Sequence, residues 1–135
     1  MSRNIDFINP DELLKSPAFS QIAVTKGNGT TIYIGGQNAI TKDLHIVSDD
    51  IKSQTEHILK NIETALTTAG ASVDDLVKLN IYIVQGQDVK KGFEGAQAFL
   101  KKLKHPPVIT GVIVAGLANP EYLVEIEAVA FKGVD

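Results

Sequence analysis

The sequence predicts an α+β domain in the order β-β-β-α-β-α-β-β, one mixed sheet carrying two helices on one face. Three observations predict it. Two segments, Asp49 to Gly70 and Val89 to Leu103, place apolar residues at the three-and-four spacing of a helix with one buried stripe. Around them lie short β-branched or aromatic runs bounded by glycine, proline and asparagine, which mark strands. The run Val108-Ile109-Thr110-Gly111-Val112-Ile113-Val114 is nearly all apolar, as in a strand buried on both sides.

In chain order, Asn9 to Pro17 mixes turn formers with the pair Leu13-Leu14, which suits a loop or a single turn, and a second strand follows Pro17. Phe19 to Val24 and Thr31 to Ile34 are expected to pair, because Lys26-Gly27-Asn28-Gly29 supplies the positive-φ positions a hairpin needs. Gly35-Gly36 ends that run and marks either a turn or a backbone that approaches something closely. Asp49-Asp50 then opens the first helix, with acids at its positive end, a stripe from Ile51 through Ile58, Ile62 and Leu66, and Gly70 closing it. Leu76 to Val84 alternates Val77, Leu79, Ile81 and Ile83 against Lys78, Asn80, Tyr82 and Val84, a half-buried strand. The second helix is expected to bury Phe93, Ala96, Phe99, Leu100 and Leu103. Gly92 and Gly95 weaken it by roughly 1 kcal/mol each and let it pack close to the sheet. Val108 to Val114 and Tyr122 to Phe131 are the last strands, joined by a hairpin loop at Gly116 to Pro120.

Composition narrows the function classes. At 135 residues the chain fits a single domain spanning 1–135, large enough to bury a core without staples. A formal charge of −3 gives no reason to expect a nucleic-acid partner. No cysteine is present, which excludes disulfides, thiolate metal sites and a cysteine nucleophile. His45, His57 and His105 are scattered over a loop, a helix and a loop, so neither a metal nor a cofactor is expected. No Gly-x-Ser-x-Gly elbow exists for a hydrolytic triad. Residues 1–7 lack the apolar run of a signal peptide and no run of about 18 apolar residues occurs, so a soluble cytoplasmic protein is the expectation, with no membrane partner. Lys101-Lys102-Leu103-Lys104-His105 reads as a solvated helix end that complements the helix dipole.

Five fragments occur in order along nearly the whole chain: Pro17-Ala18-Phe19-Ser20-Gln21, Gly35-Gly36-Gln37, Leu76 through Ile83, Pro106-Pro107-Val108-Ile109-Thr110-Gly111-Val112, and Leu123-Val124-Glu125-Ile126-Glu127-Ala128. Together they resemble the RidA/YjgF family of enamine/imine deaminase-like proteins, also called endoribonuclease L-PSP or translation initiation inhibitors. The resemblance implies a chorismate-mutase-like fold and a homotrimer with a barrel-like core, whose intersubunit clefts bind a small metabolite. It places Phe19 where deaminating members have a tyrosine, and Gly36 at the glycine whose backbone lines the cleft. Thr110 falls at a small residue that reaches the ligand, and Phe93 near a position often held by asparagine. Glu125 takes the catalytic place of the glutamate proposed to hold the hydrolytic water.

Ile109 departs from the pattern, since the deaminating members carry there an arginine that grips the substrate carboxylate. The one arginine of this chain is Arg3. A charge-assisted hydrogen bond is worth about 1.5–3 kcal/mol. At about 1.4 kcal/mol per tenfold, losing a bidentate one costs a decade or more in affinity. Lys104 or His105 as a substitute cation lacks the planar fork. The reading is therefore a metabolite-binding trimer, its cleft apolar and suited to neutral or amine-bearing ligands, with weak or absent deaminase activity. Two alternatives stand beside it. One is an active 2-iminobutanoate/2-iminopropanoate deaminase, a hydrolase gripping substrate by backbone amides. The other is a trimer with a regulatory or chaperone-like role. Glu125 and Glu127 share one strand face, either as a solvated rim paired with lysines or with Glu125 entering the cleft; two like charges buried together would push a pKa upward.

Overall fold

The computed structural model describes residues 4–134, so Arg3 lies outside the described residues. Six strands and two helices follow in the expected order: β1 (Ile5–Ile8), β2 (Ile22–Thr25), β3 (Gly29–Gln37), α1 (Ile51–Thr68), β4 (Leu76–Val84), α2 (Val89–Leu100), β5 (Val108–Val114) and β6 (Val124–Gly133). Four strands form a mixed sheet in the order β3-β6-β4-β5, with β4 and β5 parallel and the other neighbours antiparallel. β1 and β2 form a separate two-stranded ribbon. Both helices pack on one face of the sheet, and the core lies between, built on Ile58, Ile62 and Leu66 of α1, Leu79 of β4, and Val124 and Ile126 of β6. No helix of the described residues is long and apolar enough to cross a membrane.

Two expected hairpins do not form. β2 pairs with β1, Ile5 opposite Thr25, whereas β3 turns to β6, from Gly29 opposite Gly133 to Gln37 opposite Ile126. Nine-residue β3 finds in ten-residue β6 a ladder of matching length, which four-residue β2 cannot offer. β5 and β6 are likewise not neighbours, because β4 lies between them. The chain reaches parallel β5 through the α2 crossover. Residues 115–123 then carry it over the end of β4, where Val84 N–H donates to Leu123 O (3.0 Å) and Gln85 N–H to Val114 O (2.8 Å).

Local chemistry sets the element ends. Asp50 caps α1 by accepting from the Ser53 N–H at 2.8 Å, while the Ser48 hydroxyl donates to its other oxygen at 2.6 Å. The Ser48 bond first, then the Ser53 N–H, lower the Asp50 carboxyl from its ordinary 3.8 to about 2. This contribution to stability is present above the ordinary value and is lost as pH falls toward 2. At the other end Gly70 takes φ +82° and the Ala71 N–H closes on Leu66 O at 2.8 Å.

Three packing expectations change. Gly92 and Gly95 do bring α2 in close, but against α1 rather than the sheet: a Cβ on Gly95 would overlap Lys52 O and sit 3.1 Å from Thr55 Cβ. Gly95→Ala is therefore expected to destabilise by about 2 kcal/mol despite its better helix propensity, read from the midpoint of urea unfolding. Val77 is the extra residue of a β-bulge, Leu76 standing opposite Ala130 and Lys78 opposite Val129, so strict alternation fails there and Leu76 is buried instead. Phe93 of α2 is 49% exposed rather than buried, and in the single chain β5 is an edge strand with Val112 and Ile113 exposed, surface that the expected self-association would cover.

Candidate functional site

The strand register sorts the side chains onto two faces. In β6, Val124 and Ile126 turn to the helices, and Glu125 and Glu127 to the open side of the sheet. Tyr82 lies opposite Glu125 and Asn80 opposite Glu127. In β5, Ile109 pairs with Leu79 on the helix side, and Thr110 pairs with Asn80 on the open side.

On the open face Glu127 Oε1 accepts from the Tyr82 hydroxyl at 2.6 Å and from the Asn80 amide at 3.1 Å. These bonds, Tyr82 first and Asn80 second, hold its carboxyl below the ordinary 4.5 against the penalty of burial, with Lys78 adding a smaller attraction. The expected upward push is thus overturned at Glu127, because the two donors outweigh the penalty of burial. The Tyr82 phenol is correspondingly raised above 10.0, by the bond to Glu127, then by burial, then by the charges of Glu127 and Glu125. A spectrophotometric titration should show one tyrosine ionising above that value, moving down in Glu127→Gln. The same variant should lose less stability below pH 4.5, since a depressed carboxyl loses its contribution as pH falls through the folded value.

Gly36 lies inside β3, where the register shifts between Ile34 and Gln37. A Cβ there would overlap Glu125 Oε2 and stand 2.7 Å from its Cδ. Of the two readings of Gly35-Gly36, a close approach holds at Gly36, and what approaches is the Glu125 carboxylate.

On the other face Phe19, Phe93 and Ile109 line a half-open cavity of about 220 Å³ between the helices and the sheet, together with Ile81, Ile83 and Val124. Phe19 is fixed over β5 by the buried Ser20, whose N–H donates to Pro107 O at 3.0 Å and whose hydroxyl donates to Pro106 O. The six sequence-derived site residues therefore fall into three places. Gly36 touches Glu125; Phe19, Phe93 and Ile109 share the cavity on the opposite side of the sheet; Thr110 stands exposed on edge strand β5, two strands or roughly 10 Å from the β6 carboxylates. His105 stacks on Phe7 with centroids 5.9 Å apart, and the Lys104 N–H donates to Asp74 at 3.2 Å.

Sequence reasoning missed Gln54, which is fully buried. Its Nε2 donates to Ser48 O (2.8 Å) and Glu121 O (2.9 Å), and its Oε1 accepts from the Leu123 N–H (2.9 Å), tying α1 to the chain entering β6. The signal was present: Gln54 falls three residues after Ile51 and four before Ile58, on the apolar stripe. Lys78, Asn80 and Tyr82 were read only as a polar strand face. Among the described residues no group of three or more His, Asp or Glu side chains gathers to hold a metal.

The model of the family described as endoribonuclease L-PSP matches residues 11–132. A RutC family protein of Pyrococcus abyssi is 35% identical over 105 residues, 77% of this chain and 80% of its own. The crystal structure of the Rid family protein YyfB from Yersinia pestis, a protein of unknown function, superposes with a TM-score of 0.85 at 32% identity, covering 95% of this chain and 98% of the other. A Mycobacterium tuberculosis member of the YjgF/YER057c/UK114 family gives a TM-score of 0.62 at 29% identity, covering 94% and 98%. A family match over nearly the whole length, with the sheet order and helix placement described above, means that the chain belongs to the endoribonuclease L-PSP family, the RidA/YjgF group its sequence resembles.

Proposed function

We propose that the chain works as a homotrimer whose intersubunit clefts bind a small neutral or amine-bearing metabolite beside Glu125, with imine hydrolysis weak or absent. The observation that carries this reading is electrostatic. The open face presents Glu125 and Glu127, and the charge of Lys78 acts on Glu127. Neither Ile109 nor Thr110 supplies the guanidinium that the family resemblance assigns to a substrate carboxylate. A 2-imino acid would bring a further negative charge to Glu125 with no planar fork to receive it, whereas an ammonium or neutral amide gains from the same group. Association is supported by apolar surface one chain leaves in water: Val112 and Ile113 on the free edge, and Tyr33, 80% exposed on the open face.

A retained deaminase is favoured by one feature, the bare backbone of Gly36 against Glu125, where amides can approach a ligand. Coupled turnover of 2-iminobutanoate separates the two. Wild type is expected near background and Thr110→Arg above it; wild-type turnover equal to that of an arginine-bearing relative contradicts the proposal. Gly36→Ala is expected to displace the Glu125 carboxylate at little cost in stability, because the atom it meets is the end of a flexible side chain. An unchanged melting temperature beside lost affinity for an amine ligand is the measurable outcome.

A further inference from the structure

We infer that Asn28 is a site of self-modification, where the Gly29 backbone nitrogen attacks the Asn28 carboxamide and converts the residue to aspartate and isoaspartate. The Gly29 N–Cγ bond forms as the Asn28 Cγ–Nδ2 bond breaks, and the amide proton leaves with the ammonia. Water then opens the cyclic imide at either carbonyl. The site stands at the end of β3 away from Gly36, and the inference goes beyond the cleft proposed above without resting on it.

Register frees the nucleophile. Lys26 to Gly29 makes no hairpin but carries the chain from the β1–β2 ribbon to β3, with Asn28 and Gly29 both exposed. The Val134 N–H donates to Asn28 O at 3.0 Å, so 28 and 134 form a bonded pair of the antiparallel ladder. Bonded and unbonded pairs alternate, so Gly29 and Gly133, next in register, are an unbonded pair and the Gly29 N–H turns away from β6. β3 is the edge strand, with no neighbour in its sheet on that side. The electrophile is free as well. Of the seven asparagines, Asn38, Asn61 and Asn80 donate from their carboxamides, and Asn9 and Asn119 accept backbone N–H groups. No such bond holds the Asn28 side chain among the described residues. Isoleucine follows Asn4, Asn61 and Asn80, and its branched side chain crowds the attack; proline after Asn9 and Asn119 has no N–H to attack with. Only Asn28 precedes a glycine, which brings no Cβ to the closing ring. Closure requires the Asn28–Gly29 peptide to rotate, and its tether is the bond from Val134, itself 65% exposed and just beyond the strand ends. Such a bond opens at low cost. Isoaspartate lengthens the main chain by a methylene and adds a negative charge to a chain of formal charge −3. The tether to Val134 cannot survive that, and Gly29, where a Cβ would overlap the Phe131 ring, is pulled from its close packing.

The test is incubation of the full chain in water enriched in heavy oxygen, at mildly alkaline and mildly acidic pH, followed by peptide mass spectrometry. Heavy oxygen is expected to enter residue 28 ahead of every other asparagine, faster at alkaline pH, with isoaspartate the larger share of the product. The rate in the folded chain should lie within about tenfold of that in the urea-unfolded chain, the span a weak local tether allows. Asn28→Gln, which would have to close a larger ring, should leave the fragment unmodified and the fold intact. Val134→Pro, which removes the tethering N–H, should speed the reaction severalfold, and in modified wild type the Val134 amide should exchange hydrogen faster. The inference is overturned if residue 28 keeps its amide in the folded chain, or if another asparagine reacts first. Aspartate formed without isoaspartate also overturns it, since that is hydrolysis without the ring, as does an unchanged rate in a folded Val134→Pro. If Val134→Pro does not fold, the ratio of folded to unfolded rates in wild type decides.

Discussion

Replacing Ile109 with arginine is expected to destabilise the chain by roughly 3 kcal/mol and to restore no carboxylate binding. The family pattern points to this position for the missing guanidinium, and the strand register turns it away from Glu125 of its own chain. Ile109 pairs with Leu79 and lines the apolar cavity with Phe19, where a guanidinium would meet hydrocarbon and a single hydroxyl. Thr110, exposed on the opposite face and paired with Asn80, accepts an arginine in water at a cost of a few tenths of a kcal/mol. Thermal melts of the two variants should therefore separate by roughly 10 °C, with Ile109→Arg the lower. An Ile109→Arg protein that melts with wild type and hydrolyses 2-iminobutanoate would contradict this expectation and would show that position 109 faces the cleft between subunits.

Gln54→Leu is expected to cost about 3 kcal/mol although it places a better hydrocarbon in the core. Three backbone groups, Ser48 O, Glu121 O and the Leu123 N–H, lose their partner together, and a buried unpaired group is penalised more than a made bond is rewarded. Because the bonds join α1 to the chain entering β6, the amides of Leu123 and Val124 should also exchange hydrogen faster. Hydrogen exchange alongside urea unfolding checks both effects, and a Gln54→Leu protein as stable as wild type would contradict the description of this side chain as a structural tie.

Element existence was legible because hydrophobic period is a local signal. The stripe through Ile58, Ile62 and Leu66, the alternation of Leu79, Ile81 and Ile83, and the acids before Ile51 all have near neighbours in sequence. Strand pairing was not legible. Whether β3 joins β2 or β6 depends on ladder length across a hundred residues, and glycine-rich Lys26 to Gly29 reads as a hairpin turn whichever partner wins. The site suffered for a related reason. On a strand, adjacent positions face opposite ways, so Ile109 and Glu125 of one chain lie on opposite sides of the sheet, and a cleft holding both would take them from two neighbouring subunits, which a single sequence does not display. The bulge at Val77 shows the same sensitivity, one extra residue changing which side chain enters the core. Gly36 was legible as unusual and became specific only when Glu125 was seen against it.

The account depends on no arginine fork standing beside Glu125 among the described residues, with the nearby charge of Lys78 acting on Glu127. Calorimetric titration of the assembled wild-type protein with pyruvate tests it most directly. No saturable heat is predicted through the millimolar range, with Thr110→Arg gaining a measurable affinity. One-to-one binding of pyruvate by wild type at micromolar Kd would contradict it.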